Sequence, residues 1–178
     1  LLDLLGDPQP AVRSVAARGL GALGEARTAA ALAQALSDAQ PDVRLAAARS
    51  LGQIGGAQAV AALLRAVQDK APEVRAAGAE ALGALGDQTA VAPLIELLRA
   101  EQRGAAEQDV LAACCKSLGR LKAAAAVDAL VPLLQTDGRD DRTAEVAGAA
   151  TRALGQIGDA RAVEPLMALL EKRQWRTV

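Results

Sequence analysis

Protein chemistry at neutral pH most often starts from histidine, and this chain of 178 residues has none. The commonest general base and the commonest nitrogen ligand for a metal are therefore missing. Cys114 and Cys115 are adjacent and have no other cysteine to pair with. Carboxylates such as Glu80 and Glu145 are scattered, without the paired counterpart that acid–base catalysis needs. Neither the phosphate-cradling G-x-x-x-x-G-K-[ST] nor the nucleophile turn G-x-S-x-G occurs. What remains is a recurring set of charges. Arg18, Arg49, Glu80, Lys116 and Arg152 follow at intervals of 31, 31, 36 and 36 residues, and Arg120 lies one turn past Lys116. The positions matching Arg120 are Ala22, Gln53, Ala84 and Gln156. Five of these six charges are positive. Arginine grips carboxylates bidentately, so the chemistry on offer is recognition of an anion, an acidic protein segment first among them.

The same intervals run through the whole chain. Leu20-Gly21-Ala22-Leu23-Gly24 returns at Leu51–Gly55, Leu82–Gly86, Leu118–Lys122 and Leu154–Gly158. A fixed period of this size means a stacked array of one small unit. Each unit carries two helical patterns. Val60, Leu63, Leu64 and Val67, at i, i+3, i+4 and i+7, form an apolar stripe that recurs from Val91, Val127 and Val163. The second pattern is Val43, Ala47, Leu51 and Ile54, repeated as Val74, Gly78, Leu82 and Leu85. Pro10, Pro41 and Pro72 mark helix starts, and Gly24, Gly55, Gly86 and Gly158 mark helix ends. The inner glycines, at 21, 52, 83, 119 and 155, each cost a helix about 1 kcal/mol against alanine. Close approach of a neighbouring helix backbone accounts for them better than five hinges would.

Composition narrows the classes further. The hydrophobic fraction of 52% comes from Ala, Leu and Val, with no Phe, no Tyr and one Trp, which suits helices packed at close range. With 20 basic and 21 acidic residues the net charge is -1, so no broad field attracts nucleic acid. Stacking on single strands needs aromatics that these helices lack, and the row offers few charges for phosphate neutralisation. Two cysteines without recurring spacing point to a reducing, cytoplasmic setting. The longest uncharged stretch, Ser50 to Leu64, holds 15 residues and is too short and polar to cross a bilayer. No signal segment opens the chain; Leu1-Leu2-Asp3-Leu4-Leu5 reads like the tail of a unit already under way.

Pro41-Asp42-Val43-Arg44, Ala46-Ala47-Ala48 and Leu51-Gly52-Gln53-Ile54-Gly55 resemble a HEAT repeat, of the short bacterial type called PBS-lyase HEAT-like. Ala162-Val163-Glu164-Pro165-Leu166 is similar to the first helix of that unit, with its proline recurring at Pro93 and Pro132. The resemblance covers essentially the whole chain. It implies an all-α, right-handed α-solenoid of about five stacked antiparallel helix pairs in one domain, residues 1–178. First helices would lie on the convex side and second helices would line the concave side. The chain then enters at the end of a first helix (residues 1–6) and leaves after another (160–172), so both ends lack a partner helix. A segment of a longer array or larger protein explains this, and so does pairing between copies; the oligomeric state stays open.

Departures from the pattern carry more information than the pattern. Val-Arg pairs at 12–13, 43–44 and 74–75 each follow an acid by six residues, Asp7, Asp38 and Asp69. A loop acid bonding the amides of a helix start, steadied by an arginine, predicts a ladder along the stack. In the next two units the arginine becomes Leu111 and Ala147, and the loop grows by five residues around 99–107 and 136–142. Insertions in repeat arrays fall on one face, often a binding face, although polar loops are also tolerated at little entropic cost. Cys114 and Cys115 fall where Ala47 and Ala48 stand and are read as small buried residues rather than a redox pair. Trp175 is read as local packing after the last helix.

The candidate partner-binding residues are Arg18, Arg49, Gln53, Glu80, Lys116, Arg120, Arg152 and Gln156, on the face that the resemblance makes concave. The same row also reads as a solvated face whose long stems cover alanines. The expectation is a non-catalytic scaffold, without cofactor or metal, that binds another protein or another domain of its parent. It binds neither nucleic acid nor membrane on this reading. The resemblance supplies a second reading, a phycobilin lyase subunit or phycobilisome factor, against which the lack of aromatics counts. A HEAT-like DNA glycosylase lacks its aromatic and acidic pocket here. The iron hydroxylases built from these repeats use His-Glu pairs, which a chain without histidine cannot form.

Overall fold

The structure, a computed structural model, describes residues 1–104, 107–135 and 141–174. Among them are ten α-helices and no strand. They are α1 (Pro10–Leu23), α2 (Ala29–Ala35), α3 (Pro41–Ile54), α4 (Gly56–Ala66), α5 (Pro72–Leu85), α6 (Val91–Arg103), α7 (Gln108–Arg120), α8 (Val127–Leu130), α9 (Asp141–Ile157) and α10 (Val163–Gln174). The odd-numbered helices are the second helices of the units. They pack in order, α1 on α3, α3 on α5, α5 on α7 and α7 on α9, while each even-numbered helix from α2 to α8 packs on the second helix that follows it. The result is the expected all-α stack of helix pairs. None of the described helices is long and apolar enough to cross a membrane.

Both apolar patterns point into the seam between the layers. Leu32, Leu63, Leu94 and Leu130 from the first helices, and Leu51, Leu82, Leu118 and Leu154 from the second, are fully buried there. Each such leucine contributes about 1.5–3 kcal/mol. Small residues fill the contact between successive second helices. A Cβ built on Gly52 would lie 2.7 Å from that of Ala81, one on Gly83 2.6 Å from the Cα of Ser117, and one on Gly119 2.8 Å from the Cα of Ala153. Gly21 meets Ser50 in the same way. The inner glycines are therefore contact points, as the sequence predicts. Gly155 differs, for no described residue lies within 4 Å of its would-be Cβ.

Prolines begin α1, α3 and α5, each of which runs for 14 residues. Gly24, Gly55, Gly86 and Gly158 follow their helices with positive φ, and Lys122 holds the same post at φ 50°. Pro132 corrects the expected register. Pro93 and Pro165 are the third residue of α6 and α10, whereas Pro132 lies three residues further along its unit. It has no N–H to give to the preceding turn, and α8 passes into a 3₁₀ segment at Val131–Gln135. The two longer connections are absorbed differently. In one, α6 runs on to Arg103; in the other, α9 begins at Asp141, five residues before the buried Val146. Residues 105–106 and 136–140 of the enlarged loops, and Trp175, lie outside the described residues.

Candidate partner-binding face

The arginine–acid ladder exists and is offset by one unit. Arg13 donates from Nη1 to the carbonyls of Asp7 and Pro8 in its own loop, and from Nε and Nη2 to the Asp38 carboxylate of the next. Arg44 repeats this on Asp38 and Ala39, then reaches Asp69 at 2.7 and 2.8 Å. Asp7, Asp38 and Asp69 in turn accept the N–H of Gln9, Gln40 and Ala71. The third arginine, Arg75, lands on Glu101 at 2.7 Å. That carboxylate stands on the extended end of α6 and accepts the Glu107 N–H just before α7, so a helical residue takes over the role of a loop aspartate. The bond from Arg13 holds the Asp38 carboxyl below its ordinary value. At Asp69 burial pushes upward, and the bonds from Arg44 and the Ala71 N–H outweigh it. This network ties successive units of the stack together.

Two serines, which sequence reasoning did not single out, pin the layer from inside. Ser50 Oγ donates to the Ala17 carbonyl at 2.9 Å, and Ser117 Oγ to the Ala79 carbonyl at 2.8 Å, across the glycine contacts. The available signal was a hydroxyl at a position where the other units carry Gly19, Ala81 and Ala153.

Arg18, Arg49, Glu80, Arg120 and Arg152 are exposed on successive second helices, and none has a hydrogen-bond or ion-pair partner among the described residues. Lys116 is half-buried and pairs with Glu145 of the next helix at 3.4 Å. Gln53 and Gln156 are less free than their exposure implies. Their amide oxygens lie over Gly21 and Gly119 of the preceding helices, so they roof the glycine contacts. A second row also belongs to this face. Asp42, Glu73, Asp109 and Glu145 recur at 31, 36 and 36 residues and are exposed. Each precedes its unit's row residue by seven positions, about 10 Å along the helix. Asp42, Glu73 and Asp109 stand in first turns, where the helix dipole favours an acid. The cations therefore form a stripe bordered by acid along one edge.

Cys114 and Cys115 are buried as free thiols. Burial pushes the Cys114 thiol far up and the Cys115 thiol to about 12, which keeps both protonated and unreactive. No group of three or more metal-ligating side chains converges among the described residues.

A regular stack of short helix pairs, joined through glycine contacts and an inter-unit ladder, defines a helical repeat protein. The chain belongs to the HEAT-repeat family: the model for HEAT repeats matches residues 29–108 and 102–178, and a single HEAT repeat matches residues 1–26. Among solved structures it is similar to the complex of CpcE and CpcF of phycocyanin lyase from Nostoc sp. PCC7120. The identity is 29% and the TM-score 0.74, covering 88% of this chain. The match spans 63% of that lyase chain. An engineered protein matches at 21% identity and TM-score 0.64, covering 97% of this chain and 87% of its own. Human deoxyhypusine hydroxylase in complex with glycerol matches at 21% and 0.51, covering 88% and 72%. These last two share the fold alone. No curated protein matches in sequence.

Proposed function

We propose that this chain is a non-catalytic interaction scaffold whose second-helix face, concave in the arrangement the family implies, binds an acidic segment of another protein. The observation that carries the reading is the stripe of Arg18, Arg49, Arg120 and Arg152. All four are exposed and none is ion-paired among the described residues. Unpaired arginines on one face of four of the second helices match a ligand that runs along the stack and meets them in turn with its carboxylates. The similar lyase structure is itself a complex of two protein subunits, which supports a protein partner. The test is Arg49→Glu, Arg120→Glu and Arg152→Glu together, in an affinity pull-down from the source cells read by quantitative mass spectrometry. Helicity should be unchanged and the main partner lost; unchanged recovery removes the face from consideration.

A second reading is favoured by the 29% identity to phycocyanin lyase: a subunit of a phycobilin lyase or a related phycobilisome factor. With no Phe or Tyr in the chain, its second-helix face has no aromatic to stack on a tetrapyrrole. A shift in visible absorbance on adding free bilin would favour this reading over the scaffold.

A further inference from the structure

The row of charges on the second helices is interrupted once. Arg18, Arg49, Lys116 and Arg152 stand at one structural position on α1, α3, α7 and α9, and at that position α5 carries Glu80. The reversal extends along the helix. Glu73 stands seven residues before Glu80, and Ala76 and Ala84 lie one turn to either side of it. The only cation of α5, Arg75, is held on Glu101. α5 therefore gives this face two acids and no base, where α3 gives Asp42 with Arg49 and α7 gives Asp109 with Lys116 and Arg120. Glu80 is exposed and forms no ion pair among the described residues. Of its neighbours in the row, Arg49 is unpaired and Lys116 turns to Glu145 at 3.4 Å.

Resting on the reading of this face as the binding surface, we propose that Glu80 determines which acidic segment binds there. The segment carries a base at its middle place, between acids that meet Arg49 on α3 and Lys116 with Arg120 on α7. An unbroken run of acids laid across the stack meets Glu80 and Glu73 at its centre, and repulsion there offsets the gain from the flanking cations. A lysine or arginine at that place is attracted by both. The same repulsion fixes the register. Sliding the segment by one helix sets its base against a cation and an acid against Glu80. The order acid, acid, base, acid, acid thus follows α1, α3, α5, α7 and α9.

The face also sets the conformation of the segment. Among the described residues of α3 to α9 no large apolar side chain is exposed, so an amphipathic helix would find no groove for its stripe. Packed helices lie about 8–10 Å apart. A polyproline II chain has three residues per turn and rises about 3.1 Å with each, so every third side chain points the same way at a spacing of about 9 Å. That is one side chain per second helix. The occupant is an extended segment of another protein with a charge at every third position.

The probes are two fluorescein-labelled peptides of equal composition and net charge. One, E-P-A-E-P-A-K-P-A-E-P-A-E, has its base at the middle place; the other, K-P-A-E-P-A-E-P-A-E-P-A-E, has it at the end. Fluorescence anisotropy at low salt follows their binding to the full chain. The middle-base peptide should bind at least about threefold more tightly. Glu80→Gln should remove that preference; the site is exposed, and circular dichroism checks the fold. No preference in the parent chain, or one that survives Glu80→Gln, would overturn the proposal. In that event, loss of both peptides by Arg49→Glu with Arg120→Glu and Arg152→Glu would leave the reading of the face standing. Undiminished binding by that triple variant, or no binding of either peptide to the parent at millimolar concentration, would overturn the reading and this inference with it.

Discussion

At Gly83 the missing side chain is the structure. A methyl group there would lie 2.6 Å from the Cα of Ser117, and backbone cannot rotate aside as a flexible side chain does. Gly83→Ala therefore forces α5 and α7 apart and strains the bond from Ser117 Oγ to the Ala79 carbonyl. The expected cost is about 1–3 kcal/mol. Gly155→Ala is the control with the opposite sign. It meets none of the described residues within 4 Å and, in a helix interior, should stabilise by about 1 kcal/mol through helix propensity. Urea unfolding followed by circular dichroism checks both; a Gly83→Ala chain as stable as the parent would remove the close-contact account. The five glycines look identical in sequence, and their recurrence made the close approach legible. That the last one meets no described residue was not legible, because it depends on what lies beside α9.

The ladder belongs to the scale of the element. It fixes α1, α3 and α5 to the loop or helix end ahead of them through side chains that are nearly buried; Arg44 has only 4% of its side chain exposed. Removing one partner of a buried pair leaves the other uncompensated, so Asp69→Asn should cost about 3 kcal/mol at neutral pH. The sign of the pH dependence follows from the depressed carboxyls. Asp38 and Asp69 titrate below their ordinary value of 3.8, so their contribution is complete above that value and is lost as pH falls through the lower, folded one. The gap between the parent chain and Asp69→Asn should shrink over that acid range in unfolding measurements. A gap that stays constant down to pH 2 would deny the ladder its electrostatic role. The pairing of arginine with acid was readable from Asp7, Asp38 and Asp69. The offset was not, nor the substitution of Glu101, which comes from α6 running a turn further and lies outside the repeat.

For the whole molecule, the regular period made the architecture legible, because a helix pair of this kind buries its stripes only by stacking on its neighbours. The partner-binding face was legible in part. Arg18, Arg49, Glu80, Arg120 and Arg152 stand exposed on successive helices, while Gln53 and Gln156 reach back over glycines. The acidic border of Asp42, Glu73, Asp109 and Glu145 went unread, since acids at helix starts look like ordinary capping chemistry. That border supplies the sharpest test, because an acidic ligand must be attracted by one row and repelled by the other. The measurement is quantitative capture of the bound protein by two folded variants against the parent chain. One is Arg49→Glu with Arg120→Glu and Arg152→Glu; the other is Asp42→Lys with Glu73→Lys and Asp109→Lys. Binding of an acidic segment predicts loss of the partner in the first and equal or stronger recovery in the second, with the difference fading at high salt. Equal recovery by both, or loss confined to the lysine variant, would contradict it.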